Sequence, residues 1–253
     1  MEMNAKYSFY KLLFVYVLTF LLVGIAYSQQ FVTIGSAKPM QNSCILLTPD
    51  YPYAEGIAYS RTKLDLTESF EISFDIYLGN KDELGADGIA FIIHIDPRQF
   101  EAYGTWGESL GYGRMNPWGN GTSIYPSVAV EFDTYFNIQQ NDPQSDHVAY
   151  LENGISFHEK YWNGGNDEFN MEDGRLHDFR FSWDPENNQI TVSLDGFVVY
   201  SGNKDLVNKI FGGETKVIWG FSASTGRLYN QQYFCLRRLA SNQDLNTNIF
   251  NHQ

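Results

Sequence analysis

Ile190-Thr-Val-Ser-Leu-Asp195-Gly196-Phe-Val-Val-Tyr200 consists of two β-prone runs hinged on an Asp-Gly pair. Asp-Gly supplies the positive φ angles that a tight type I′ turn needs, so this stretch predicts a β-hairpin. Upstream, Phe70-Glu-Ile-Ser-Phe-Asp-Ile-Tyr77 and His177-Asp-Phe-Arg-Phe-Ser-Trp183 alternate apolar with polar side chains. A period of two marks half-buried strands. Further strands are predicted over Cys44 to Thr48, Gly88 to Ile95, Ser127 to Asp133, Lys216 to Ser222 and Gln231 to Leu236, and only Leu206 to Phe211 reads as a short helix. Many strands divided by Gly, Pro, Asn and Asp turns predict an all-β, single-domain sandwich of two antiparallel sheets rather than βαβ units.

The ends of the chain read differently. Lys6 and Lys11 precede an almost wholly apolar run from Leu12 to Ala26 that closes on Ala26-Tyr27-Ser28, the layout of a cleaved secretory signal over residues 1–28. That run is shorter than the roughly 20 residues that span a bilayer. The mature chain is therefore expected to carry no transmembrane anchor and to be secreted or held on the extracellular surface. Residues 29–240 are expected to form the sandwich, which is large enough to bury an ample core. The polar tail over residues 241–253 has little to bury. A net charge of −13 argues against nucleic-acid and anionic-membrane partners, since no basic block neutralises phosphates. Cys44 and Cys235 lie near the two ends of the domain, and in an exported chain they are expected to form a disulfide; two buried free thiols are the alternative.

The chemically loaded stretch is Val130-Glu131-Phe-Asp133-Thr-Tyr135-Phe-Asn137-Ile-Gln-Gln-Asn-Asp142-Pro-Gln-Ser-Asp146-His147. Side chains alternate faces along a strand, so Glu131 and Asp133 point the same way, and a loop can fold Asp142 and His147 back towards them. Left without a counter-charge, these carboxylates would repel, and a divalent cation would neutralise them. Oxygen-rich ligands suit calcium, whereas a single imidazole among carboxylates suits manganese or another first-row divalent metal. On the residues alone, a second reading stands beside this one: strand-edge charges followed by a solvated acidic loop.

The spacing of positions 131, 133, 135, 137, 142 and 147 resembles the two-metal motif of the legume-type (L-type) lectins, a family of concanavalin-like jelly-roll sandwiches. The resemblance implies a transition-metal site from Glu131, Asp133, Asp142 and His147. It implies a calcium site from Asp133, the Tyr135 carbonyl, Asn137 and Asp142. Gly85-Ala86-Asp87-Gly88-Ile-Ala-Phe91 is similar to the family's first sugar-binding loop, in which the Asp accepts hydrogen bonds from sugar hydroxyls after a cis peptide. Gly107-Glu-Ser-Leu110-Gly111-Tyr112 is similar to the second loop, and Trp219-Gly-Phe-Ser-Ala-Ser-Thr225-Gly226-Arg227 to the fourth. Where many relatives carry a glycine before Ser109, this chain has Glu108. The likeness is strongest to the secreted bacterial branch, in which Cys44 and Cys235 would staple the first and last strands.

The function implied is that of a carbohydrate-binding protein with glycan partners and no catalysis. Asp87, Gly107, Asn137, Gly226 and Arg227 would surround the sugar, with the ring of Tyr135 or a neighbouring aromatic against its apolar face. Without the resemblance, Asp87 reads as a turn residue before Gly88. A glycoside hydrolase of related fold is the enzymatic alternative, but Glu131-Phe-Asp133-Thr-Tyr-Phe136 lacks the last Glu of the Glu-x-Asp-x-x-Glu pattern. An adhesion or structural surface module with the same fold is a third reading. Exposed sheet edges offer a route to homodimers. His94, His158 and His177 are read as packed or exposed residues rather than ligands.

Overall fold

The computed structural model describes residues 30–41, 43–114 and 119–241. The predicted signal segment and all but the first residue of the predicted tail lie outside them. The strands form two antiparallel sheets. The first runs, in order, β1 (Phe31–Gly35), β4 (Glu55–Ser60), β13 (Lys216–Ser224), β7 (Gly88–His94), β8 (Ser127–Asp133) and β9 (His147–Glu152), with the short β5 (Leu64–Asp65) beside β13. The second runs β12 (Phe197–Asn203), β11 (Gln189–Leu194), β10 (His177–Asp184), β6 (Phe70–Tyr77), β14 (Gln232–Ser241), β3 (Cys44–Thr48) and β2 (Lys38–Pro39). No described helix is long and apolar enough to cross a membrane.

The Asp-Gly hinge forms as predicted, with φ of 50° at Asp195 and 83° at Gly196 between β11 and β12. Strands β3, β6 and β8 begin and end where the sequence predicts. Strand β14 corrects it: the strand runs on to Ser241, into the segment expected to be tail. The predicted helix is a single π-helical turn, Leu206–Ile210, capped by the Asp205 side chain. Cys44 and Cys235 are disulfide-bonded and face each other in the β3–β14 register. The bridge thus joins the last strand to the third, because β1 belongs to the other sheet.

Both faces of the first sheet are covered. Along β7, Ile89, Phe91 and Ile93 point into the core between the sheets, while Ala90 and Ile92 join a second cluster that includes Leu110, Tyr112 and Ile124 from the long β7–β8 connection. This accounts for the near-continuous apolar run Gly88 to Ile95, where a half-solvated strand would alternate. Phe74 of β6 sits at the centre of the main core, fully buried, with ring centroids of Phe91, Phe179, Trp219, Phe221 and Phe234 4.8 to 5.9 Å away. Phe74→Ala is expected to destabilise the fold by about 3–5 kcal/mol. Urea unfolding would measure it, and a loss below about 1 kcal/mol would show that the cluster collapses around the gap.

Candidate functional site

Strand β8 delivers two carboxylates to one place by alternation. Val128, Val130 and Phe132 fill the main core, so Glu131 and Asp133 face the opposite side, under the covering loops. Their cross-strand neighbours are small or functional: Glu131 is registered between Ala90 and Ala149, and Asp133 between Gly88 and His147. Gly88 has φ of +139°, and a Cβ there would lie 2.2 Å from the Phe132 carbonyl oxygen, so only glycine fits. His147 is the first residue of β9, placed opposite Asp133 by sheet register rather than by a loop.

The loop between β8 and β9 turns back through a 3-10 turn at Ile138–Gln140, followed by Asn141 in the left-handed region at φ 72°. The Tyr135 N–H donates to Asp133 Oδ1 at 2.8 Å, and the Asn137 N–H donates to Asp142 Oδ2 at 2.6 Å. Asp142 therefore spends one oxygen on the loop and turns the other inward. Asn137 Oδ1, Asp142 Oδ1, His147 Nε2 and His158 Nε2 are all buried with no hydrogen-bond partner among the described residues, and Glu131 Oε1 is buried beside them, 2.9 Å from His158 Nδ1. His147 Nε2 lies 3.8 Å from Glu131 Oε1 and 3.7 Å from Asp142 Oδ1. Asp133, Asp142 and His147 offer ligand atoms within 4.8 Å of one another, as do Glu131, His147 and His158. Each unsatisfied buried polar atom costs about 1–3 kcal/mol, and this set consists of cation ligands. The residues fit a calcium ion beside a first-row transition metal.

Electrostatics agree with that fit. Burial, reinforced by the charges of Asp142 and Glu131, holds Asp133 well above the usual carboxylate range. Burial also raises Asp142 to about 7, against the hydrogen bond from Asn137 and with the charge of Glu131. Burial lowers His147 to about 3, so its imidazole is neutral and offers a lone pair. The metal-free protein then has a definite pH dependence. Asp87 and Asp142 titrate at about 7 in the fold against an ordinary 3.8, so the folded state binds more protons than the unfolded chain between those values. Stability is lost as pH rises through about 7. Asp146, at about 7, and Glu172, at about 9, act with the same sign. His147 and His94, lowered to about 3 and about 4, act oppositely but only below about pH 6.5. Chelated protein is expected to melt at a lower temperature at about pH 8 than at about pH 6.5, and added calcium and manganese to raise the midpoint more at the higher pH. Equal midpoints in the chelated protein would refute this.

Four loops meet beside the carboxylates. The Ala86-Asp87 peptide is cis. The Asp87 N–H donates to the Ser224 carbonyl at 3.0 Å, and the Asp87 carbonyl accepts from the Thr134 N–H at 3.0 Å. The Ser224 hydroxyl donates to the Gly107 carbonyl at 2.8 Å. A Cβ on Gly226 would lie 3.7 Å from Asp87 Oδ2, an oxygen that is itself buried and unpartnered. Asp87, Gly107, Tyr135, Asn137 and Gly226 are thereby gathered in one place, and the Arg227 side chain stands exposed at its edge. Glu108 faces the same space, its charge adding to the burial that raises Asp87 to about 7.

Two participants were not legible in the sequence. His158 was read as packed or exposed rather than as a ligand; it is buried, and it stands among the residues that could hold a metal ion. The segment before β4 joins the fourth loop, since the Tyr53 N–H donates to the Gly226 carbonyl at 2.9 Å, leaving the Tyr53 ring exposed beside it. Neither has a spacing signal, because each reaches the site through tertiary contacts.

The sequence profile of the legume lectin beta-barrel domain matches residues 24–238. An L-type lectin-domain containing receptor kinase, SIT2, of Oryza sativa subsp. japonica is 26% identical over 220 residues, covering 79% of this chain and 32% of the relative. The galactose-binding lectin of Arachis hypogaea is 38% identical over 88 residues, covering 34% of this chain and 30% of the relative. The chain spans about a third of the length of the curated relatives it matches. Among solved structures, a lectin from Bauhinia forficata in complex with GalNAc superposes with a TM-score of 0.67 at 24% identity, covering 84% of this chain and 93% of that one. With the two-sheet sandwich, the register of its carboxylates and the profile match over most of its length, the chain belongs to the legume lectin (L-type lectin) domain family.

Proposed function

We propose that this chain is a secreted, non-catalytic carbohydrate-binding protein whose sugar site is held in shape by a calcium ion and a neighbouring first-row transition metal. The observation that carries the reading is the convergence of buried ligand atoms from Glu131, Asn137, Asp142 and His147, the last three unpartnered, next to the unpartnered Oδ2 of Asp87. Glu131, Asp133, Asp142 and His147 would hold the transition metal; Asp133, the Tyr135 carbonyl, Asn137 and Asp142 would hold calcium. The ions, when bound, supply the positive charge that offsets the mutual repulsion of these carboxylates. Asp87 accepts hydrogen bonds from sugar hydroxyls, the main chain at Gly107 and Gly226 lines the site, and Arg227 stands on its rim. The half-exposed Tyr135 ring offers an apolar face to a pyranose. Groups fixed before the ligand arrives lose less freedom on binding, which is what the metal loop contributes. The names of the peanut and Bauhinia proteins, which bind galactose and GalNAc respectively, support a sugar as the ligand class. The likeness to a bacterial branch rests on the residues quoted from the sequence, whereas the relatives reported above are plant proteins.

The test is a glycan array with calcium and manganese, repeated after chelation and after restoring the ions. Selective binding that vanishes and returns with the metals is expected. Binding unaffected by chelation would overturn the role of the metals, and no binding in any condition would favour an adhesion or structural module.

A further inference from the structure

We propose that His158 is itself a ligand of the transition metal, adding a second imidazole to that of His147 and shifting the site's preference from manganese towards zinc. This rests on the metal-centred reading above and goes beyond its ligand set. His158 lies on the segment following β9, buried to 5% exposure, and is tied to the metal loop at both ends of its main chain. Its N–H donates to the Gln140 carbonyl at 3.3 Å, and its carbonyl accepts from the Asn141 side chain at 2.9 Å. The backbone therefore has no freedom to carry the ring elsewhere without unpicking the loop that shapes the site.

The ring is also oriented for ligation. His158 Nδ1 is hydrogen-bonded to the Ser156 carbonyl at 3.1 Å. A carbonyl only accepts, so Nδ1 carries the proton, and in the neutral ring Nε2 keeps its lone pair. A proton on one ring nitrogen donated to a carbonyl, leaving the other free, is the arrangement that orients metal-bound histidines. That free Nε2 is buried and unpartnered, 3.8 Å from the equally unpartnered Asp142 Oδ1. His147 Nε2 lies 3.7 Å from the same oxygen, and the two imidazole centroids are 4.9 Å apart. Atoms that each sit about 2.1 Å from one ion can be at most about 4.2 Å from each other, and each of the two nitrogens lies within that limit of Asp142 Oδ1. Glu131 belongs to the same cluster: Glu131, His147 and His158 offer ligand atoms within 4.8 Å of one another, with Glu131 Oε1 3.8 Å from His147 Nε2 and 2.9 Å from the protonated His158 Nδ1. Manganese suits carboxylate, carbonyl and water ligands, whereas imidazole favours zinc and its neighbours. A second imidazole therefore moves the selectivity in zinc's direction.

The experiment strips the full chain with chelator, then dialyses it against equimolar zinc and manganese with calcium present, and measures bound metal for the unaltered protein, His158→Ala and His158→Gln. Cobalt absorption spectra, which respond to the number of nitrogen ligands, are recorded on the same three. The unaltered protein is expected to retain zinc over manganese. Both variants should keep calcium and lose zinc affinity by at least the roughly 10–100-fold that even an outer-shell partner is worth, with a shifted cobalt spectrum. Retained calcium shows that the variants are folded. Unchanged zinc affinity and an unchanged cobalt spectrum in both variants would overturn the role of His158 while leaving the metal-centred reading intact. Failure of the unaltered protein to bind any transition metal would overturn both.

Discussion

Asp133→Ala and Asp142→Ala are each expected to abolish binding of both ions and of sugar in one step, with sugar affinity falling at least about a hundredfold. Each carboxylate stands where the two proposed sites meet, and each anchors part of the loop: Asp133 Oδ1 receives the Tyr135 N–H and Asp142 Oδ2 the Asn137 N–H. Removing either one takes away a shared ligand and frees the segment carrying Tyr135 and Asn137. The β-sandwich itself should persist, because the main core lies on the other face of β8. Metal analysis, thermal melting and glycan binding on the same preparation separate these effects. Metal-free Asp133→Ala that still binds sugar normally would refute the proposed mechanism.

Asp87→Ala should give the complementary result, with both ions retained and sugar binding lost. The side chain contributes a buried carboxylate oxygen without a protein partner, and in the proposed site it accepts two hydroxyl hydrogen bonds. Bonds of that kind to a charged group are each worth about 1.5–3 kcal/mol, so losing two predicts a drop of roughly a hundredfold to ten-thousandfold. The main-chain bonds that tie residue 87 to Thr134 and Ser224 do not depend on the side chain and should survive. Calorimetry with the glycan found on the array, beside calcium analysis, would test this. A variant that binds sugar as before, or that sheds calcium, would assign Asp87 a different role.

The sequence was most informative where a residue's neighbours along the chain determine its environment. The alternation in Phe70–Tyr77 and the Asp-Gly turn at Asp195 are local facts, and both are present in the fold as read. Strands β1, β4 and β9 were invisible because they have no clean alternation. The first sheet is covered on both faces, so the period-two signal is erased in Glu55–Ser60. The site divides in the same way. Glu131 and Asp133 could be placed on one face from strand geometry alone, whereas His147 arrives through cross-strand register and His158 through a connection that packs against the Ile138–Gln140 turn. The family spacing marks His147, but no spacing rule reports a contact such as that of His158. The extension of β14 to Ser241 was hidden by its composition, since its residues from Arg237 onward resemble a polar end more than a strand.

The bonds that lock these loops together run through main-chain groups and the side chains of Ser224, Thr225 and Gln140, while Tyr53, Leu84 and Arg227 point outward from the same loops. Frame and contact surface are therefore chemically separate. Those three positions can be randomised without touching the frame, which makes this end of the molecule a natural template for selecting new sugar preferences on an unchanged scaffold.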